Sequence, residues 1–258
     1  MHIYAILNQK GGSAKTTTSV NLACALAEKN NKVLLIDLDP QGSASSWLGC
    51  KKAEKGLFDV FAGNGSIYDY VCKTSISGLD IIPSSPWLIS ADKMLASEVG
   101  AETTLKRSLA SHKDRWDYII IDCSPTLGIL SLNALVAATK VLVPIETHIM
   151  AVQGLAQLMG TIKTVQERLN PSLEIDGILA CRVSKRTRLS QDIICDLRQR
   201  FPLKVYDTTI RENIKLAECP SFGKPIFQYD GKSSGAEDYR SLACEVIKRN
   251  KSSQKQRR

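Results

Sequence analysis

Short apolar runs separated by helix-length segments constrain this chain more than any other feature of its sequence. Ile3 to Leu7, Val33 to Ile36, Leu79 to Ile82, Tyr118 to Ile121 and Val141 to Ile145 read as buried strands. Thr16 to Glu28, Thr103 to Ser111, Leu127 to Ala138 and Val152 to Leu169 read as helices between them. Continuous apolar strands alternating with helices predict an α/β fold, a mainly parallel twisted sheet covered by helices on both faces. A later strand is expected over Ile175 to Val183, then a helix from about Ser190 to Arg200 and a final helix from near Gly235. Lys51 to Ser77 is the least regular stretch and is expected to wrap the surface. With no repeat and no long linker in 258 residues, a single domain is expected over residues 1–247, followed by a basic, flexible tail over 248–258.

The first strand leads into Lys10-Gly11-Gly12-Ser13-Ala14-Lys15-Thr16-Thr17. A glycine pair lets the backbone turn tightly around a phosphate with successive N–H groups pointing inward, and the following helix adds its positive dipole end. Lys15 would bridge the β- and γ-phosphates of ATP, and the Thr16 hydroxyl would ligate Mg²⁺. The expected nucleotide contacts are therefore Lys10, Gly11, Gly12, Ser13, Ala14, Lys15, Thr16 and Thr17. Against the pattern G-x-x-x-x-G-K-S/T, Gln9 and Ala14 stand where the two glycines belong. An ordinary glycine turn would not explain two lysines and three threonines crowded into one turn.

Two further strands end in carboxylates. Val33 to Ile36 runs into Asp37-Leu38-Asp39-Pro40-Gln41-Gly42, and Tyr118 to Ile121 into Asp122-Cys123-Ser124-Pro125. Ligands of open parallel sheets gather beyond the carboxyl ends of the strands, so these acids are expected beside the glycine loop. Asp122 stands at the Walker B position, where a carboxylate holds Mg²⁺ directly or through water. On residue type alone, Asp37 and Asp39 could equally be turn formers.

The loop resembles the deviant Walker A sequence, K-G-G-x-G/A-K-T-T, of the ParA/MinD superfamily of partitioning and positioning ATPases. The resemblance implies a P-loop NTPase fold and Mg²⁺-dependent hydrolysis of ATP to ADP and phosphate. It implies that Lys10 reaches across an ATP-sandwiched homodimer to the partner's nucleotide, a second cation on the transferring phosphoryl group. It gives Asp39 the role of positioning or activating the attacking water, with Asp37 in a supporting one. With Lys10, Lys15 and Asp39 as the catalytic set, Thr16 and Asp122 serve the metal. A methyl group at Ala14, where glycine gives φ freedom, is a candidate cost in nucleotide affinity. Ser124 replaces the first proline of the family's D-x-P-P pattern. Ile210 to Pro220 resembles the late segment that helps close the base pocket, which implies a contact from Asn213, although Arg211 stands where that segment often carries proline.

Charge and cysteine usage narrow the branch. The net charge is +8, and the last eleven residues, Lys248 to Arg258, carry six Lys or Arg and no acid, leaving +2 for the body. A second basic cluster comprises Arg182, Lys185, Arg186 and Arg188. Such clusters can follow a phosphate backbone without reading its sequence, although on charge alone a solvated tail and an exposed loop remain open readings. The eight cysteines form no C-x-x-C pair and suit reduced packing residues of a cytosolic protein. No apolar run reaches the roughly 20 residues of a membrane span, and Met1 to Tyr4 lacks the basic region of a secretory signal. The last helix, with Tyr239, Leu242, Ala243, Val246 and Ile247 at helical spacing, is expected to dock on the core, against a MinD-like membrane anchor. The chain begins at the first strand, unlike large plasmid-type ParA proteins with an N-terminal DNA-reading domain. Gly223 to Ile226 and Gly235 to Glu237 match the chromosomal, Soj-like members. The resemblance thus implies a cytoplasmic, nucleoid-associated switch that binds nonspecific double-stranded DNA and meets a ParB-type partner. Arg182, Lys185, Arg186, Arg188, Lys204, Lys215 and Lys224 are the candidate DNA contacts. Two alternatives are a nucleotide-gated DNA-binding scaffold with negligible hydrolysis and a ParA-like positioner of a protein cargo.

Overall fold

The computed structural model describes residues 1–50, 56–95, 98–110, 115–184, 187–202 and 204–256. Among them, seven strands form one sheet: β1 (His2–Ile6), β2 (Val33–Asp37), β3 (Cys72–Lys73), β4 (Leu79–Ile82), β5 (Tyr118–Asp122), β6 (Lys140–Glu146) and β7 (Glu174–Cys181). Their order is β3-β4-β2-β5-β1-β6-β7. Every neighbouring pair is parallel except β3 with β4, which is antiparallel at the edge.

Side chains alternate across the sheet with the period of two that a strand imposes. Tyr4, Ile6, Val33, Leu35, Tyr118 and Ile120 face one layer, and Ile3, Ala5, Leu34, Ile36, Ile119 and Ile121 the other. The first layer holds α1 (Lys15–Glu28), α2 (Ser43–Trp47), α9 (Ile214–Glu218), α10 (Ile226–Tyr229) and α11 (Ser234–Gln256). The second holds α3 (Leu57–Phe61), α4 (Ala91–Leu95), α5 (Thr104–Leu109), α6 (Ile129–Ala137), α7 (Ile149–Arg168) and α8 (Arg188–Arg200). Both strand faces are thus buried, which is why the strands read as continuous apolar runs. The architecture is the α/β fold with a two-faced, mainly parallel sheet that the sequence pattern predicts.

Between Lys51 and Ser77, the described part holds α3, a 3₁₀ turn at Ile67–Tyr70 and the edge strand β3. Phe61 and Ile67 from this stretch are buried in the core, so it packs as well as wraps. α11 docks on α1 through Tyr239, Leu242, Ala243 and Val246, all fully buried. It continues past residue 247, with Asn250 buried beneath the sheet and accepting a hydrogen bond from the Tyr4 hydroxyl at 3.0 Å. No described helix is long and apolar enough to cross a membrane.

Parallel register delivers the acids together. Asp37 and Asp122 are direct partners across β2 and β5, and Ile6 pairs with Asp122 across β1 and β5. Asp37 and Asp122 share strand parity with Val33, Leu35 and Ile120, so both project toward α1 and α2.

Candidate nucleotide-binding site

The loop from Asn8 to Ala14 joins β1 to α1 across the carboxyl end of the sheet. Asn8 anchors it, donating to the Pro144 carbonyl at 2.7 Å and accepting from the Lys10 amide at 3.0 Å. Gly12 sits at φ 75°, and a Cβ on Gly11 or Gly12 would meet no protein atom within 4 Å. The space beside both glycines is therefore open, leaving the loop's backbone accessible to a phosphate chain.

Ala14 caps α1 in the left-handed region, at φ 65° and ψ 24°. An L-residue pays about 1–2 kcal/mol for that conformation. The loop keeps its turn at a cost glycine would spare.

Lys15 opens α1 and is nearly buried. Its ammonium donates to the Lys10 carbonyl at 3.1 Å, which holds it across the mouth of the loop. Burial lowers its pKa, opposed by the charges of Asp122 and Asp39. Ser19, one turn further along α1, points its hydroxyl at Asp122 Oδ1, 2.8 Å away, with the Lys15 carbonyl at 3.0 Å as an alternative acceptor. On the neighbouring strand, Asp37 Oδ2 accepts from the Ser45 amide at 2.7 Å and its hydroxyl at 2.6 Å.

Both carboxylates are left half satisfied. Asp37 Oδ1 and Asp122 Oδ2 are buried without a hydrogen-bond partner, as is the Ser13 hydroxyl in the loop. Burial, then the charge of Asp37, pushes the Asp122 carboxyl up to about 8, against the Ser19 hydrogen bond and the neighbouring Thr16 hydroxyl. Burial pushes Asp37 up to about 6, with Ser45 opposing and Asp39 adding to the rise. Two adjacent buried acids with open oxygens resist ionisation until a cation joins them. Mg²⁺ fits this set: one carboxylate and the Thr16 hydroxyl suffice for an ion that keeps waters and takes phosphate oxygens. No three described His, Cys, Asp or Glu side chains gather as a metal cage of their own.

Asp39 lies two residues beyond β2, half-buried at the lip. Its Oδ1 accepts from the Gln41 amide at 3.0 Å, and Ser84 donates to its backbone carbonyl at 2.6 Å. Lys10 is exposed, and its ammonium contacts Nε2 of His148 rather than the loop it belongs to. His148 lies 3.3 Å from Glu146, which is paired with Arg182 at 2.6 Å.

Beside Ala14 and Thr17 opens a cavity of about 350 Å³, closed by Arg182, Ile210, Asn213, Leu216 and Tyr239. Asn213 lines it but also caps α9, accepting from the Lys215 amide at 2.8 Å and donating to Ser234 at 2.9 Å. Arg211, in the position where the family often has proline, is clamped by Asp238 and Glu237 at 2.6 and 3.0 Å.

The candidate DNA contacts are not one patch. Arg182 sits at φ 52° on the cavity rim. Lys204 donates to the Ile175 carbonyl at 3.1 Å, near the other end of β7. Arg188, Lys215 and Lys224 are exposed, with Lys215 bound to Glu218 at 3.2 Å. Lys185 and Arg186 lie outside the described residues.

Sequence reading missed the hydroxyls that hold the acids. Ser19 is four residues after Lys15 and so on the same helix face, a signal that was available. Ser45 reaches Asp37 from α2 and Ser84 reaches Asp39 from the loop after β4, and nothing in the local sequence marks them.

The AAA domain family matches residues 1–175. The chain is 45% identical over 246 residues to the sporulation initiation inhibitor protein Soj of Bacillus subtilis, covering 95% of this chain and 97% of that one. It is 41% identical to the chromosome partitioning protein ParA of Caulobacter vibrioides, over 98% of this chain and 97% of that one. Among solved structures, cobyrinic acid a,c-diamide synthase from Mycobacterium smegmatis with bound ATP analog and magnesium superposes with a TM-score of 0.87 and 35% identity. That match covers 98% of this chain and 97% of the other.

Proposed function

This chain belongs to the Soj/ParA family of chromosome-partitioning ATPases, and on that premise we propose that it is an ATP-timed switch that dimerises, holds DNA without sequence preference, and lets go on hydrolysis. The observation that carries the nucleotide site is the in-register pair Asp37 and Asp122, each with one buried unpaired oxygen, facing the Gly11-Gly12 cradle and Lys15. A relative of 35% identity was solved with an ATP analog and magnesium. The cobyrinic acid activity in that protein's name is not carried over, since the Soj and ParA relatives are closer in sequence.

In this reading the amides of Gly11 to Thr17 and the α1 dipole hold the phosphates. Lys15, already fixed by the Lys10 carbonyl, neutralises charge on the β- and γ-phosphates. Thr16 and Asp122 hold Mg²⁺, which when bound offsets charge on the phosphate oxygens. Ser19 and Ser45 fix the Asp122 and Asp37 carboxyls so that no reorganisation is needed when charge develops. Asp39, carried by a turn tied down at Gln41 and Ser84, orients the attacking water and accepts its proton. The cavity beside Ala14 takes the adenine ring, with Asn213 at its edge. Lys10 projects away from its own loop, as a lysine serving a second copy of the chain would. DNA is held by Arg188, Lys215 and Lys224, together with Lys185 and Arg186. Arg182, exposed although paired with Glu146, and Lys204, exposed at the other end of β7, stand apart from these as further candidates. A ParB-type partner stimulates release, and the protein works on the nucleoid in the cytoplasm.

Phosphate release in the presence of ATP, Mg²⁺, DNA and the partner tests this. The wild type is expected to exceed an Asp39→Ala variant clearly. Equal rates would leave a DNA-binding scaffold gated by nucleotide, and DNA affinity that ignores ATP would remove the gating as well.

A further inference from the structure

One wall of the cavity beside Ala14 is a loop, residues 210–213, that lies past the end of the sheet. Its backbone is lightly held. The Ile210 amide donates to the Ala180 carbonyl at 2.8 Å, the Val183 amide to the Ile210 carbonyl at 3.0 Å, and the Glu212 amide to the Val183 carbonyl at 3.1 Å. Arg211 itself pairs with Val183 as an isolated parallel bridge rather than as part of a strand. Such a segment has to be ordered before it can hold a ligand, and ordering costs free energy.

Arg211 supplies the hold. Its amide donates to Asp238 Oδ2 at 2.8 Å, and its Nε reaches the two Asp238 oxygens at 2.9 and 3.0 Å. Its Nη2 donates to Asp238 Oδ1 at 2.6 Å, to Glu237 Oε2 at 3.0 Å and to the Ser234 carbonyl at 3.1 Å. All these acceptors belong to the start of α11. Asp238 is nearly buried, so its bonds are sheltered from water, whereas the exposed Glu237 adds little. A proline at this position would fix φ but could not donate, and here the amide is part of the clamp.

The same stretch of α11 holds other parts of the cavity. Ser234 accepts from Asn213 at 2.9 Å, and the Tyr239 hydroxyl shares a hydrogen bond with that of Thr18, on α1, at 3.3 Å. A Cβ on Gly235 would come within 2.8 Å of Leu216 Cγ and 3.3 Å of Asn213 Nδ2, so the bare glycine lets the wall sit close. The start of α11 is thus a frame, keyed on one side to the helix that follows the phosphate loop and on the other to the wall.

We propose that Arg211 is a positioning residue for nucleotide binding, whose clamp on Asp238 sets the 210–213 wall in place before the adenine base arrives. It rests on the base-cavity reading given above. A wall ordered in the free protein need not be ordered on binding, and that saving appears as affinity. The other role for an arginine beside a nucleotide is a phosphate contact. Two carboxylates already meet this guanidinium, and Lys15 already lies across the mouth of the phosphate loop.

Arg211→Gln alone would leave the Asp238 carboxylate nearly buried and unpaired, so it is combined with Asp238→Asn. The full chain is melted with Mg²⁺ and rising ATP or methyl triphosphate, which has the same phosphates and neither ribose nor base. Affinity for each is read from the rise in melting temperature, up to millimolar ligand. The double variant is expected to bind ATP about tenfold more weakly, the effect of ordering roughly one backbone residue, and methyl triphosphate within about twofold of wild type. In phosphate release the loss should fall on KM rather than kcat. Unaltered ATP affinity would overturn the clamp and leave the base cavity standing. Equal weakening of both ligands would also overturn it, because Arg211 would then support the whole site and not the base wall. A wild type that binds methyl triphosphate as tightly as ATP would defeat the base cavity and the clamp together.

Discussion

Two buried charge clusters lie at opposite ends of the same sheet and are finished differently. At the amino ends of β6 and β7, Lys140 meets Asp176 at 2.6 Å, both nearly buried, and the other Asp176 oxygen accepts from the Tyr206 hydroxyl. Arg249 stacks over the Tyr206 ring at 4.1 Å and bonds the backbone around it. At the carboxyl ends of β2 and β5, Asp37 and Asp122 are as deeply buried, yet each keeps an oxygen without a partner. Desolvating a charge is expensive in either place. The first cluster offsets that expense within the chain. The second leaves it open, as a site must if a ligand is to supply the missing partner.

The largest effect is expected from breaking the finished cluster. Asp176→Ala strands the Lys140 ammonium in the core and should cost about 3–5 kcal/mol in a urea unfolding curve. A loss under 1 kcal/mol would mean that the pair is not buried as described.

In the open cluster the same kind of truncation should hurt catalysis instead. Lys15→Ala is expected to lower phosphate release by about 10²–10³-fold, some 3–4 kcal/mol of transition-state stabilisation, with the urea midpoint nearly unchanged. Unfolding of the variant would show that Lys15 is structural.

The comparison sharpens with pH. The carboxyls of Asp37 and Asp122 stand at about 6 and about 8 in the folded protein and near 3.8 unfolded. Above pH 4 the folded state keeps protons that the unfolded chain has released. Their contribution is thus present below pH 4 and lost as pH rises to 8, on the order of 3 kcal/mol from Asp37 alone. A thermal melt of nucleotide-free protein across this range should show stability falling with pH, more steeply in wild type than in Asp37→Asn. Identical slopes would remove Asp37 from the balance.

The smallest effect belongs to the loop itself. Ala14→Gly relieves the left-handed strain but loosens the unfolded chain, so a net gain of about 0.5–1 kcal/mol is expected in the same melt. A loss would mean the methyl group packs usefully where it is.

This contrast also explains what the sequence could and could not tell. The cradle is local: Lys10 to Thr17 is one contiguous run, and Asp37 and Asp122 each end an apolar strand, so pattern and position expose them. The finished cluster has no motif, because Lys140, Asp176, Tyr206 and Arg249 come from distant stretches that only the sheet and α11 bring together. Ser45 and Ser84 stayed hidden for the same reason. β3 was missed because its two residues are too short to carry a period, and it pairs antiparallel where the pattern elsewhere is parallel. Charge alone marks Arg182 as a DNA candidate and says nothing of its place just past β7, exposed on the cavity rim beside Glu146.

The open carboxylate pair is tested most directly by melting wild type and Asp122→Asn with and without ATP and Mg²⁺. Without ligand, Asp122→Asn is expected to melt higher, because a neutral amide replaces a buried acid that sits beside another. With ATP and Mg²⁺ the wild type should gain stability and the variant should lose most of the Mg²⁺-dependent part. A variant that melts lower without ligand, or gains as much from Mg²⁺ as the wild type, would contradict a site left unfinished for the metal and its nucleotide.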